Sequence, residues 1–198
     1  ESAAPYMLSH QNTDISGDTI VDWSPAFELV PSIEVAYVWH AGVHGAEVAE
    51  GIRRIGMEIR SQIIWVKEHL VISRGDYHWQ HEPCLYAVRS GKTGHWSGGR
   101  NQTTVWPIPH RKSASGHGTE KPVECMKRPI KNNSSPGQAV YEPFSGSGTT
   151  IMVAEKTCGR ARAIELEPKY VDLAVPRWER YTGKTAVLRT QKDYTHAK

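Results

Sequence analysis

Cysteine is scarce in this chain. The three present, Cys84, Cys125 and Cys158, are odd in number, widely spaced and without a Cys-x-x-Cys pair, which excludes a disulfide framework and a zinc ribbon and leaves reduced thiols. No apolar run approaches the about 18 residues that a membrane-spanning helix needs, so a helical membrane protein is excluded. Residues 1–6 lack the charged and apolar regions of a secretory signal. A cytoplasmic protein with no membrane partner is therefore expected. Neither sign of charge dominates: 24 Lys and Arg stand against 21 Asp and Glu, a net charge of +3, with a pI near 8.8. That mild basicity permits a nucleic-acid partner without demanding one. Phenylalanine is almost absent, with two residues, whereas Trp numbers seven and His ten. Flat and titratable rings in such supply suit a surface that stacks bases and bonds phosphates. A chain of 198 residues fits one compact domain.

Residues 1–25 are polar and rich in breakers and predict a loop. Residues 33–39 form a β-branched and aromatic run of strand length, and residues 42–56 carry Val43, Ala46, Val48, Ala49, Ile52 and Ile55 at helical spacing. Residues 57–66 and 84–88 predict two more strands, separated by the polar, ring-rich stretch 67–83. Strand, helix and strand in succession predict a parallel α/β sheet. Between residues 91 and 118 the composition shifts to Gly, Ser, Thr, Asn, His and basic residues, with a short apolar island at 105–108, as in a long functional loop or a mobile segment. Residues 122–132 predict a helix with Pro122 in its first turn. A strand at 138–141, a helix ending at 157, a strand at 160–165 and a helix at 169–181 complete a βαβα unit. After residue 182 a short strand and a frayed end are expected. There is no internal repeat.

The most informative stretch is Glu142-Pro143-Phe144-Ser145-Gly146-Ser147-Gly148-Thr149-Thr150, where a strand turns into a helix. Two glycines in such a turn let backbone approach a ligand and aim free helix N–H groups at an acceptor. The next strand ends at Glu165, where nucleotide-binding α/β folds place an acid that bonds a ribose diol. Plain turn chemistry is the alternative for either half alone. No Gly-Lys-Ser or Gly-Lys-Thr follows, which disfavours a kinase-type phosphate loop.

This stretch resembles the Asp-Pro-Phe-x-Gly-Ser-Gly-Thr motif of S-adenosylmethionine-dependent DNA amino-methyltransferases whose cofactor motif is C-terminal. His117-Gly118-Thr119-Glu120-Lys121-Pro122 is similar to the family's His-x-Thr-Gln-Lys-Pro motif, with Glu120 in place of Gln. Ala163-Ile164-Glu165 is similar to the following strand, and His81-Glu82-Pro83-Cys84-Leu85-Tyr86 extends the resemblance over residues 33–185. The resemblance implies a Rossmann-like methyltransferase fold, a three-layer α/β sandwich with a mostly parallel sheet. It makes 1–198 one domain, in which residues 1–30 are a remnant of the target-base region, 67–117 the DNA-recognition segment and 118–185 the cofactor-binding part. It implies S-adenosylmethionine as cofactor, held by Thr119, Lys121, Pro122, Glu142, Pro143, Phe144, Gly146, Ser147, Gly148, Thr149 and Glu165. No metal is implied.

The implied reaction is methyl transfer to the exocyclic amino nitrogen of adenine in DNA, or less often of cytosine, as in restriction-modification. An aromatic amine is a poor nucleophile, so its hydrogens must be bonded, its nitrogen aligned with the methyl and water excluded. The base must also be flipped into a pocket and held on an aromatic face. In this family an Asp-Pro-Pro-Tyr-like tetrapeptide does this. Ala3-Ala4-Pro5-Tyr6 keeps Pro5 and Tyr6 as catalytic candidates but has Ala where the carboxylate belongs. The family places a strand ahead of this tetrapeptide, and the resemblance therefore leads to the expectation of an incomplete catalytic strand. The sheet edge beside residues 33–39 then needs cover from residues 1–26 or from a second copy in a homodimer. Two functions follow: a DNA adenine methyltransferase of bacterial or phage type, or a catalytically inactive protein of this fold that binds DNA or a protein partner.

Arg74, His78, Trp79, Arg100, Arg111 and Lys112 are the DNA-contact candidates, rings interleaved with cations; the alternative makes Trp79 and Trp96 local core and the charges a solvated face. His78, His81 and Cys84 lack a fourth ligand and are set aside as a zinc site. Lys121 is expected to cap or pair locally, His117 serves equally as a turn residue, and Phe144 packs either on the adenine or in the core.

Overall fold

The computed structural model describes residues 20–72, 75–109 and 121–190. Pro5, Tyr6, Arg74, Arg111, Lys112, His117 and Thr119 lie outside the described residues. The order is α1 (Ser24–Glu28), β1 (Val35–Trp39), a single 3-10 turn (Gly42–His44), α2 (Gly45–Arg54), β2 (Met57–Val71), β3 (Trp79–Arg89), β4 (Val105–Pro107), α3 (Val123–Asn133), β5 (Ala139–Glu142), α4 (Thr149–Lys156), β6 (Arg160–Ala163) and α5 (Pro168–Thr182). No helix among the described residues is long and apolar enough to cross a membrane.

Four strands form one sheet in the order β1-β3-β2-β4, and β5 and β6 form a parallel pair. The expected parallel pairing of β1 with β2 needs correction. The two run the same way, but β3 lies between them and is antiparallel to both, Trp39 facing Cys84 on one side and Ile63 facing Cys84 on the other. Residues 72–78 are too few for the crossover of a dozen or more residues that a parallel neighbour requires, so β2 and β3 can only form a hairpin. The apolar island in the expected loop is β4, parallel to β2 with Trp106 opposite Trp65. Residues 24–28, expected as loop, form a short helix whose first turn accepts Pro25, because that position has no intrahelical N–H bond to lose. The expected C-terminal strand is absent from residues 184–190.

Helices cover both faces of the larger sheet. Ala36, Leu85 and Ala87 pack with Ile52 of α2, whereas Cys84, Trp65 and Trp106 pack with Cys125 of α3, and Tyr37, Trp39 and Tyr86 lean on the latter cluster. Alternation along β1 and β3 thus gives three layers: helix, sheet, helix. In β2, Met57 joins the α2 side and Ile63 and Trp65 the α3 side, although all three are odd-numbered. A bulge between Ile59 and Ser61 shifts the register by one residue and turns the rest of the strand over.

Helix α3 begins where Lys121 lies over the Trp39 ring at the end of β1, 5.7 Å from its centroid. It ends at Asn133, which accepts from Tyr37 Oη at 2.6 Å and donates to Tyr86 Oη. It therefore runs antiparallel to β1, and β5 returns in β1's direction. The carboxyl ends of β1, β2 and β5 share one edge. The tip of the β2–β3 hairpin lies at that edge too, and residues 91–104 lie at the opposite one, where Lys92 pairs with Glu34.

Neither β1 on its outer side nor β5 has a further strand partner among the described residues. Residues 22–26 bridge this interval. Asp22 pairs with Arg54 of α2, Trp23 meets Phe144 edge-on at 4.6 Å, and Tyr141 Oη donates to the Ala26 carbonyl. The Asp22 carboxyl is held down at about 2 by its bonds from Ser24 and by Arg54. The close approach depends on Gly51, where an added Cβ would lie 2.9 Å from Ser24 Oγ and 3.0 Å from Asp22 Oδ1. Alanine at 51 would gain about 1 kcal/mol of helix propensity but would overpack a buried site at about 1–3 kcal/mol. Gly51→Ala is accordingly expected to lower the thermal midpoint by about 2–4 °C and to speed proteolysis within residues 20–30; an unchanged or raised midpoint would show that the bridge carries no stability.

Candidate functional site

The turn after β5 is built by short backbone bonds. Gly148 N–H donates to the Ser145 carbonyl at 3.0 Å, and Ser145 N–H donates to the Ile164 carbonyl at the end of β6. Gly148 has a φ of 83°, and a Cβ there would stand 2.8 Å from the Ala174 methyl of α5. Both facts require glycine. Gly146 also has a positive φ, and open space lies where its Cβ would point. Its N–H donates to Glu165 Oε2, while Glu165 Oε1 accepts from Glu167 N–H at 2.9 Å. From α5, the Arg177 guanidinium donates to the Ser147 carbonyl at 2.9 Å and to its hydroxyl at 3.1 Å. The turn is thus held from three sides before any ligand arrives.

Glu142 ends β5 inside this frame. Its Oε1 accepts from Phe144 N–H at 3.1 Å and its Oε2 from Thr150 Oγ1 at 2.9 Å. Burial pushes its carboxyl above the ordinary range, with Glu165 adding to the rise while the two hydrogen bonds and the Lys121 ammonium oppose it. A cleft of about 270 Å³ opens beside the turn, lined by Ser145, Gly146, Ile164, Glu165, Val171 and Trp178 among others. Ser145 Oγ is buried with no hydrogen-bond partner among the described residues.

The structure brings Glu142, Pro143, Phe144, Gly146, Ser147, Gly148, Thr149 and Glu165 together at this turn. Lys121 and Pro122 stand at the start of α3, where Pro122 caps the helix and its carbonyl accepts from Cys125 N–H. Lys121 pairs with Glu82 at 3.1 Å, not with a sequence neighbour. Phe144 is half exposed, held by Trp23 and not by the core. His78 and Trp79 stand at the hairpin on the same edge, and Trp79 packs against the spot where Gly42 would carry a Cβ. Trp79 and Trp96 are each 43% exposed, which sets aside the alternative of both as local core. Arg100 lies in the opposite-edge loop, near the Gln102–Asn132 pair, and is not brought to this site. His81 and Cys84 are an odd number of positions apart on β3 and so face opposite sides of the sheet; no metal-binding cluster exists among the described residues. Sequence reasoning missed Arg177, Lys67 and Glu82. Arg177 had no local signal; Glu82 stood in the quoted His-Glu-Pro run.

Residues 36–176 match the N6/N4 DNA methylase family. The chain belongs to this family. Among curated relatives, the type II methyltransferase M.Cfr9I of Citrobacter freundii is 31% identical over 66% of this chain and 47% of its own length. M2.DpnII of Streptococcus pneumoniae is 28% identical over 88% of this chain and 80% of its own. The chain spans half or less of the length of the first curated relatives it matches. The fold is shared with the M1.HpyAVI–SAM complex, at a TM-score of 0.64 and 22% identity over 72% of this chain and 73% of that one. It is shared too with the cytosine-N4-specific PvuII DNA methyltransferase, at 0.65 and 16% over 97% and 81%. The Rossmann-like methyltransferase expectation for the fold is met.

The buried Glu142 carboxylate yields a stability prediction. Its raised carboxyl favours the protonated form in the fold, so its contribution is full at acid pH and declines as pH rises through its folded-state value. Gln at 142 accepts from Phe144 N–H and donates to Thr150 without a charge. Glu142→Gln should therefore melt higher than the parent at pH 7–8 and together with it near pH 4. A midpoint difference that does not vary with pH would refute the buried-charge account.

Proposed function

We propose that this chain is the cofactor-binding and part of the DNA-contact portion of a DNA amino-methyltransferase that transfers a methyl group from S-adenosylmethionine to the exocyclic amine of adenine in DNA, in a bacterial or phage cytoplasm. The observation that carries the reading is the glycine turn between β5 and α4, locked onto Glu165 through the Gly146 amide. The residues fit the cofactor on three counts: open space at Gly146, a buried Ser145 hydroxyl lacking a described partner, and an apolar cleft wall beside a carboxylate. When bound, the cofactor supplies an electrophilic methyl group on a sulfonium. The chain's own part is to bind and orient. Glu165 keeps lone pairs free for a ribose diol after accepting two backbone bonds, and Ile164 and Val171 offer an apolar face to a purine.

The hairpin edge supports duplex contact by His78 and Trp79, whose rings suit stacking on splayed bases. A target base entering there would reach the cofactor edge without crossing the sheet. All the named relatives are methyltransferases, which favours turnover over the inactive binding role. Pro5 and Tyr6 keep their assignment to the target-base site in this proposal. A second copy covering the sheet edge beside β1 belongs to it as well, and sedimentation of the purified chain would read it directly.

Calorimetric titration with S-adenosylhomocysteine tests the reading. Micromolar binding is expected, and Glu165→Ala should weaken it by about tenfold, the scale of a lost hydrogen bond to a charged group. Absence of binding in the parent chain would remove the cofactor site; unchanged affinity in Glu165→Ala would remove the ribose role of Glu165.

A further inference from the structure

One charged cluster at the carboxyl edge is unused by the glycine turn. On β3, Glu82 faces two lysines from different elements. Lys67 of β2 lies 2.7 Å from Glu82 Oε1, and Lys121, just before α3, lies 3.1 Å from Oε2. All three side chains are largely covered, at 17% exposure for Lys67, 31% for Glu82 and 26% for Lys121. Each ammonium also lies over an indole, Lys67 over Trp65 at 5.2 Å and Lys121 over Trp39 at 5.7 Å, and the two indoles meet edge-on. The aromatic platform fixes where the cations can stand. Beneath them, Cys84 and Cys125 are neutral thiols, both pushed up first by burial.

Among the described residues Lys67 and Lys121 both pair with the one Glu82 carboxylate, and the next carboxyl group that Lys121 acts on, Glu142, is pushed toward its neutral form, so the cluster leans positive where its side chains are largely covered. Such a charge is costly unless an anion completes it. Its direction is fixed by the fold: Trp39 ends β1, Glu142 ends β5, and Lys121 stands at the head of α3 between them. Burial drives the Glu82 carboxyl up and the lysines, Lys121 foremost, more than reverse the effect, which favours its ionised form beside the two ammonium groups. Lys121 also acts electrostatically on Glu142. The edge therefore presents the Lys121 ammonium and the Glu142 carboxyl group to the same space, the arrangement that an α-amino acid group matches with its own carboxylate and ammonium.

We propose that Glu82 is a positioning residue, whose carboxylate, shared with Lys67, holds the Lys121 ammonium at the carboxyl edge opposite Glu142 so that the surplus positive charge receives the carboxylate of the amino-acid end of the cofactor. The proposal rests on the cofactor reading above, in which Lys121 already belongs to the cofactor site, and goes beyond it in giving Glu82 and Lys67, from two further elements, the placing of that lysine. Lys67 is essential to it, because a lone Lys121–Glu82 pair would be neutral and would have no charge to offer.

Two probes separate the ends of the ligand. S-adenosylhomocysteine carries the amino-acid group, whereas 5′-methylthioadenosine shares the adenosyl and thioether parts and lacks it. Calorimetry on the parent chain should show the former binding at least about tenfold more tightly, the scale of one charge-assisted bond. Glu82→Gln should remove about tenfold of S-adenosylhomocysteine affinity and leave 5′-methylthioadenosine within about twofold, with Glu82→Asp in between. Lys67→Met should produce the same selective loss, and it decides the matter if Glu82→Gln does not fold. Equal losses for both probes, or no loss for either, overturn the positioning role while the adenosyl site stands. Failure of the parent chain to bind either probe overturns the cofactor reading and this proposal with it.

Discussion

The contact between Gly148 and Ala174 decides how close α5 can come to the turn, and the rest of the site follows from that approach. With a φ of 83° and an added Cβ only 2.8 Å from the Ala174 methyl, the turn admits no side chain there. Because α5 lies so close, Arg177 reaches the Ser147 carbonyl, and the β6 tip delivers Glu165 to the Gly146 amide. The carboxylate and the glycine backbone are therefore one rigid unit, and a ligand that used both would meet a surface already in place. Preorganisation of this kind reduces the ordering a ligand must impose on binding.

The second constraint is the antiparallel strand β3. Because it lies between β1 and β2, its residues face both helical layers at once: Cys84 against Cys125 of α3, Ala87 against Ile52 of α2. Its other end is tied down by Arg89, which donates to the carbonyls of Ile33 and Ile55. A strand fixed at its far end places Glu82 reliably at the near one. The same geometry sends residues 91–104 to the edge away from the glycine turn, which is why Arg100 and Trp79, both basic-and-aromatic candidates in the sequence, end on opposite sides.

What the sequence disclosed followed the range of the interactions. The elements of the βαβα unit were legible because each announces itself locally: an apolar run, a pair of glycines, helical spacing. The glycine turn and Glu165 were legible for the same reason, since they end consecutive strands. Strand order was not. A periodicity shows that residues 57–71 and 79–89 are strands, but only the length of the connection between them forces the hairpin, and that length was hidden while β2 was read as ending at 66 and β3 as starting at 84. The bulge between Ile59 and Ser61 is silent in sequence, for it changes which face Ile63 and Trp65 occupy without changing what they are. Arg177 was invisible because its partner is a backbone carbonyl thirty positions away.

The placement of charge at the carboxyl edge argues against a purely structural origin. Glu142 is largely covered and disfavoured in its ionised form, and Lys67 and Lys121 share the Glu82 carboxylate behind limited solvent exposure; a fold selected for stability alone would do better with apolar groups of similar volume at these positions. The other described ion pairs differ in being more open to solvent on at least one side. Asp22 and Glu50 with Arg54, Glu155 with Lys184, and Glu124 with Lys127 and Arg128 are exposed or half-exposed contacts, worth little individually and costing little. Destabilising charges thus gather at the one edge where the strand ends, the glycine turn and the cleft meet. Strain retained in one place and avoided elsewhere is the pattern expected when binding, and not folding, fixes the residues.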